Sequence, residues 1–249
     1  MRLGWLVCVV CALAACSRSE RSGSGSGSGS GASSGASASS GAGASSGADA
    51  GSGTDSGSSA DLVDIASIDP SIRIEIRYAT TDNFTGVAFY PAARCLLRRD
   101  AAERLARVQK ALAGRGLGLK VWDCYRPFSF QQRLWKLVPD ARYVAEPVAG
   151  ADGTPVKGSK HNRGAAVDLT LVRADGGALE LPTEYDDFST RAHRGSSAAS
   201  PAARRNADLL EKAMAAEGFE PLPTEWWHFD APGWERHPLS DQPLDAPRR

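Results

Sequence analysis

The sequence predicts an α+β domain, on three observations. Apolar and polar residues alternate at period two around Ile72–Tyr78, Leu117–Val121 and Ala166–Val172, the signature of half-buried strands. Segments beginning near Asp100, Ser129 and Pro201 carry helix start and stop signals. The two kinds of segment do not follow the strand–helix–strand rhythm that a doubly wound parallel sheet requires.

Taken in order, Ile72, Ile74, Ile76 and Tyr78 alternate with Arg73, Glu75 and Arg77, which predicts a strand with one wet face. A helix follows over 100–113. Asp100 is placed to cap it, Leu105, Val108 and Leu112 share one face, and Gly114 and Gly116 stop it. Leu117, Leu119 and Val121 form the next strand, which runs out at Trp122-Asp123-Cys124. A second helix is expected over 129–137, halted by Pro139. The strand over 166–172 closes at the turn Asp175-Gly176-Gly177. The third helix runs over 201–217, with Ser200 as cap, Pro201 in the first position and Gly218 at its end. Residues 227–231 make a last short strand, and the Pro-rich tail after Pro238 reads as an irregular surface segment. Asp82, Asp152 and Asp175 read as turn residues.

The chain divides into three parts. Residues 1–16 read as an export signal: Met1-Arg2 is a short positive start, and the apolar run from Leu6 to Ala12 is too short to span a bilayer. Leu13-Ala14-Ala15-Cys16 resembles the lipobox of bacterial lipoproteins, in which the cysteine is acylated and becomes the mature N-terminus. That implies an exported protein, anchored by lipid at Cys16 and facing the periplasm from the inner or the outer membrane. Residues 17–60 read as a disordered tether. From 22 onward it is almost wholly Ser, Gly and Ala and cannot bury enough apolar surface to offset its ordering entropy. About 39 such residues at roughly 5–6 Å × √n reach about 35 Å. Residues 61–249 are the size of one ordinary domain.

Lysine plus arginine and aspartate plus glutamate each number 29, so no bulk field draws the chain to nucleic acid or anionic lipid. Cys8 and Cys11 leave with the signal, which leaves Cys95 and Cys124 in the domain. An even pair in an exported protein is compatible with a disulfide or with two buried thiols, and spacing does not choose between them. Neither cysteine has a neighbour that would lower its thiol pKa, so neither reads as a nucleophile.

Chemistry concentrates in two clusters. Ser159-Lys160-His161-Asn162-Arg163-Gly164-Ala165-Ala166-Val167-Asp168 offers an imidazole and, seven positions on, a carboxylate. Glu225-Trp226-Trp227-His228 offers a second imidazole with a carboxylate three positions before it. Two imidazoles and one carboxylate (His161, Asp168, His228) suit zinc and leave a fourth tetrahedral position open for water. Glu225 is then free to take a proton from that water. The paired tryptophans would exclude solvent and strengthen nearby electrostatics. Of the other histidines, His193 reads as a loop residue and His237, in a polar tail, as solvated.

These residues carry a resemblance. Ser159-x-His161-x-Arg163-Gly164-x-Ala166-x-Asp168-Leu169-Thr170, together with Glu225-Trp226-Trp227-His228, resembles the D-alanyl-D-alanine dipeptidases of the VanX type. That family belongs to a wider group of zinc peptidases with the D-Ala-D-Ala carboxypeptidases and lysostaphin-like enzymes. Tyr78-Ala79-Thr80-Thr81-Asp82-Asn83-Phe84-Thr85-Gly86 and Asp123-Cys124-Tyr125-Arg126-Pro127 extend the resemblance over about residues 70–232. It implies a mainly antiparallel sheet with flanking helices and one zinc ion held by His161, Asp168 and His228. It further implies Glu225 as general base and Arg126 as oxyanion stabiliser. The substrate's free ammonium would pair with Asp186 in Glu184-Tyr185-Asp186-Asp187-Phe188, with Asp187 as the other choice, and Ser159 would contact substrate. The activity implied is cleavage of D-Ala-D-Ala, or a related small D-amino-acid dipeptide, into free amino acids. Alternatives are a carboxypeptidase or endopeptidase acting on peptidoglycan stems and a non-catalytic peptidoglycan-binding lipoprotein. A lipid-anchored enzyme outside the inner membrane cannot reach a cytoplasmic dipeptide pool, so periplasmic dipeptide recycling is the role expected.

Overall fold

The computed structural model describes residues 61–244. The expectations for the export signal, the lipidated Cys16 and the tether lie outside the described residues. At the centre is a five-stranded sheet in the order β2 (Arg73–Ile74), β4 (Leu117–Asp123), β7 (Ala166–Arg173), β9 (His228–Asp230), β8 (Glu220–Pro221). The pairing of β2 with β4 is parallel and every other pairing in this sheet is antiparallel. The fold is thus α+β with a mainly antiparallel sheet.

Helix α2 (Arg99–Ala113) packs on β4, and α4 (Pro201–Ala216) on β7. Leu105, Val108 and Leu112 of α2 and Leu210 and Met214 of α4 are buried with Val167, Leu169 and Leu171 of β7 in one core. Ser200 caps α4 by accepting from the Ala203 amide at 3.0 Å, Pro201 opens the helix, and Gly218 follows its end at φ +83°. Asp100 is not the cap of α2. The helix begins at Arg99, and Asp100 sits in the first turn, where its charge meets the positive end of the helix dipole. Helix α3 (Phe128–Leu137) starts one residue before its expected position.

The strand expected over Ile72–Tyr78 is mostly absent. Only Arg73–Ile74 pair with β4, and Arg77–Ala79 turn as a 3-10 helix. Ile72, Ile76 and Tyr78 are buried nonetheless. The alternation reported burial, and the backbone leaves the sheet so that Tyr78 can receive the amides of Phe89 and Tyr90 on its carbonyl oxygen. Strand β7 also differs from the half-wet reading, since every residue from Ala166 to Val172 is buried. It lies between β4 and β9 in the sheet.

Short elements carry no periodic signal and were not anticipated. They are the pair β1 (Leu62–Asp64) and β3 (Leu96–Arg98), helix α1 (Ile65–Ile68), and the hairpin β5 (Val148–Ala149) and β6 (Pro155–Lys157). The tail after Pro238 is not a loose surface segment. The Ser240 amide donates to Asn162 and its carbonyl accepts from Phe128, while Leu244 is buried. His237 is likewise buried, its ring nitrogen 3.6 Å from Asp100, because Arg163 grips the His237 carbonyl and draws the tail inward. Cys95 and Cys124 form a disulfide, which joins the approach to β3 with the end of β4.

Candidate metal centre

Sheet register assembles half of the site. Asp123 on β4 stands opposite Asp168 on β7, and Asp168 stands opposite His228 on β9. Residues paired across antiparallel strands project from the same face, so three functional side chains leave the sheet as a row. A register shift between Val121 and Asp123 is what brings Asp123 into line.

His161 reaches the row from a separate turn. Residues Lys160–Arg163 form a 3-10 turn whose entry is capped reciprocally. Ser159 Oγ accepts the His161 amide at 3.2 Å, and Asn162 Oδ1 accepts the Ser159 amide at 2.8 Å. The turn exits through Gly164 at φ +69°, where a Cβ would run into Leu62. The Asn162 side chain donates to the Arg126 carbonyl at 2.8 Å and the Arg126 amide to the His161 carbonyl at 3.0 Å, which pins the turn to the end of β4.

Three ligand atoms then converge. His161 Nε2 lies 3.2 Å from His228 Nδ1 and 3.4 Å from Asp168 Oδ1, and the latter two are 2.9 Å apart. Ligands about 2.0–2.1 Å from a tetrahedral ion stand roughly 3.3 Å from one another, so the set fits a zinc-sized ion. Every outer atom has a partner. His161 Nδ1 meets the Cys124 carbonyl at 2.7 Å, His228 Nε2 meets Asp230 Oδ1 at 3.0 Å, and Tyr185 donates to Asp168 Oδ2 at 2.9 Å. Such outer contacts fix the tautomers and turn the free lone pairs toward a common centre. Burial works to raise the Asp168 carboxyl, but His161 and His228 outweigh it and hold it far below the usual range. Burial works to lower His228, but Asp168 and Asp230 push it up to about 10. The cluster therefore demands positive charge, which a divalent cation supplies.

The row opens into a cavity of about 340 Å³ whose lining includes Arg126, Ser159, Lys160, Asp186, Glu225 and Trp227. Glu225 Oε2 is 3.9 Å from His228 Nδ1. Burial, with a further push from Asp168 and opposition from His228, holds its carboxyl above the ordinary range. Of the two tryptophans only Trp227 lines the cavity. Trp226 is buried behind it at 5.7 Å, edge to face, with its indole N–H donated to Thr183 at 3.0 Å.

Arg126 is clamped from three sides. Nη2 contacts Asp123 at 2.6 Å, Nη1 donates to Gln131 at 2.8 Å, Nε to Tyr90 at 3.3 Å, and the guanidinium lies over the Tyr78 ring. Burial opposes its charge, but Asp123 more than restores it. Three of its five N–H groups are thereby used, which leaves two for a ligand in the cavity.

Asp186 also lines the cavity and Asp187 does not. Asp187 instead accepts the Ser189 amide at 3.0 Å. Asp186 is the one non-glycine residue with positive φ among the described residues, at +61°, and accepts from Tyr78 at 3.2 Å. Burial, and then the charge of Asp168, drive its carboxyl well above the usual range. His193 does not line the cavity.

Supporting residues that sequence reasoning missed are Asp230, Tyr185, Gln131 and the buried side chain of Asp123. Asp230 was within reach, because it lies two positions from His228 on a strand and therefore on the same face.

A family model for D-ala-D-ala dipeptidases matches residues 58–247. The chain belongs to this family. It is therefore a peptidase, and the match spans the whole cluster from Asp123 to Asp230. Among curated relatives, the chain is 40% identical over 179 residues to a D-alanyl-D-alanine dipeptidase of Escherichia coli (strain K12), covering 72% of this chain and 89% of the relative. It is 35% identical to one from Enterococcus faecium, over 64% of this chain and 85% of the relative. A Streptomyces coelicolor member is 33% identical, over 74% of this chain and 98% of the relative.

Proposed function

We propose that this peptidase is a zinc-dependent D,D-dipeptidase that hydrolyses D-Ala-D-Ala to two molecules of D-Ala. The observation that carries the reading is the convergence of His161, Asp168 and His228 in one cavity with Glu225, Arg126 and Asp186. His161, Asp168 and His228 would hold the zinc ion, which when bound would supply polarisation of the scissile carbonyl and acidification of a water. Glu225, whose carboxyl burial raises above its ordinary range, takes the proton that water loses on adding to the carbonyl carbon. Arg126 directs its free N–H groups at the oxyanion of the tetrahedral adduct. As the C–N bond breaks, Glu225 passes the proton to the leaving amine nitrogen. Asp186 receives the substrate's ammonium group, whose charge offsets the burial and the Asp168 repulsion that raise this carboxyl in the empty cavity.

The experiment is a rate comparison on D-Ala-D-Ala, its N-acetyl derivative and a stem pentapeptide. Cleavage of the free dipeptide alone supports the reading. Comparable cleavage of the pentapeptide favours a carboxypeptidase.

For its setting, we propose export, lipid attachment at Cys16 and periplasmic dipeptide recycling, on the strength of Leu13-Ala14-Ala15-Cys16. Cell fractionation of Cys16→Ser tests it. The variant should leave the membrane fraction with its dipeptidase activity intact, and a variant that stays bound overturns the lipid anchor.

A further inference from the structure

D-Ala-D-Ala carries an anionic end as well as a cationic one, and nothing above receives it. The cavity is hostile to an anion, being lined by four carboxylates, Asp168, Asp186, Glu225 and Asp230. Its lining cations apart from histidine are Arg126, Arg142 and Lys160. Arg126 is committed to Asp123, Gln131 and Tyr90, with its remaining donors at the reacting carbonyl. Arg142 is mostly exposed and closed into a chelate by both oxygens of Asp140, at 2.5 and 2.9 Å.

Lys160 differs from both. Its side chain is one-third exposed, at 34%, and its ammonium contacts Asp230 Oδ2 at 2.6 Å and rests over the Trp234 ring at 4.5 Å. An ammonium has three N–H donors, so one bond to Asp230 leaves two. Its place in the contact order of the site matters too. Tyr185, the neighbour of Asp186, bonds Asp168, Asp168 contacts His228, His228 bonds Asp230, and Asp230 bonds Lys160, each step between 2.6 and 3.0 Å. In this order of contacts Asp186 and Lys160 come at the two ends, with the candidate ligands Asp168 and His228 between them. A dipeptide has the same order, with ammonium and carboxylate flanking the scissile amide.

We infer that Lys160 is the specificity residue for the substrate's free carboxylate, bridging it to Asp230. The inference rests on the dipeptidase reading. Asp230 aims the ammonium, and the Trp234 face limits its swing. The enzyme would then select dipeptides at both termini, by Asp186 for the amine and by Lys160 for the acid.

The test compares kcat/KM for D-Ala-D-Ala and for D-Ala-D-Ala amide, which lacks the terminal charge, in the full-length wild type, Lys160→Gln and Lys160→Arg. Wild type should prefer the acid by about 10- to 100-fold, the range of a charge-assisted contact. Lys160→Gln should bring that preference close to one at unchanged zinc content, and Lys160→Arg should restore most of it. If Lys160 only supports Asp230, Lys160→Gln slows both substrates equally and the preference stays, which overturns the inference. Wild type that cleaves neither substrate rejects the dipeptidase reading itself, a distinct result.

Discussion

His161 Nδ1 and the carbonyl oxygen of Cys124 are 2.7 Å apart, so an imidazole of the candidate metal centre is aimed by the backbone of a disulfide-bonded residue. The Cys95–Cys124 bond closes a loop of 29 positions at the edge of the site, and it therefore bears on stability and on ligand geometry together. Replacing both cysteines with serine should lower unfolding stability by about 3–4 kcal/mol from the loop-entropy relation. Denaturant titration of the oxidised wild type and the double variant would measure this, and coincident midpoints would mean that the bridge contributes nothing.

Removing a ligand should differ from removing its support. His161→Ala and His228→Ala should each empty the site of zinc, since two remaining ligands hold a tetrahedral ion poorly. Asp230→Asn should keep the metal but weaken it about 10- to 100-fold, because it alters the partner of His228 Nε2 and removes no ligand. Chelator competition reads both effects, and full occupancy in either histidine variant contradicts the ligand set.

Glu225→Ala should retain one zinc per chain and lose roughly 10²–10⁴ in kcat, the usual contribution of a positioned general base. Elemental analysis beside the kinetics separates this from a ligand role, for which zinc and activity would vanish together.

Asp186→Asn should raise KM for D-Ala-D-Ala by about 10-fold or more and change kcat less, because a charge-assisted contact to the ammonium becomes a neutral one. The Tyr78 hydroxyl still finds an oxygen to donate to in the variant, so the loop should keep its shape. An unchanged KM would remove Asp186 from substrate binding.

How far the sequence carries depends on the range over which each signal acts. Helix α4 was legible to its ends because Ser200, Pro201 and Gly218 act through their own backbone neighbours. The grouping of His161, Asp168 and His228 was legible because few residue types suit a zinc-like ion and these three, with Glu225, sit in two compact sequence clusters. Tyr78 shows the limit. Its period-two pattern is a burial pattern, and whether it also pairs as a strand depends on where β4 ends, some 45 residues away. His237 was misread as solvated because its burial comes from Arg163 and Asp100, neither of them near it in the chain. Tyr185 was invisible for the same reason, since its value lies in a contact to Asp168 that only the folded chain creates, whereas Asp230, two positions from His228 on one strand, lay within reach of strand periodicity.

The central claim, that one ion on His161, Asp168 and His228 supports dipeptide hydrolysis, meets its most direct test in a zinc titration. Zinc would be added back to metal-stripped protein while D-Ala release from D-Ala-D-Ala is followed. The account predicts no release without metal, activity that saturates at one zinc per chain, and two D-Ala formed for each dipeptide consumed. Full activity in the stripped protein, or none at any zinc level, would contradict it.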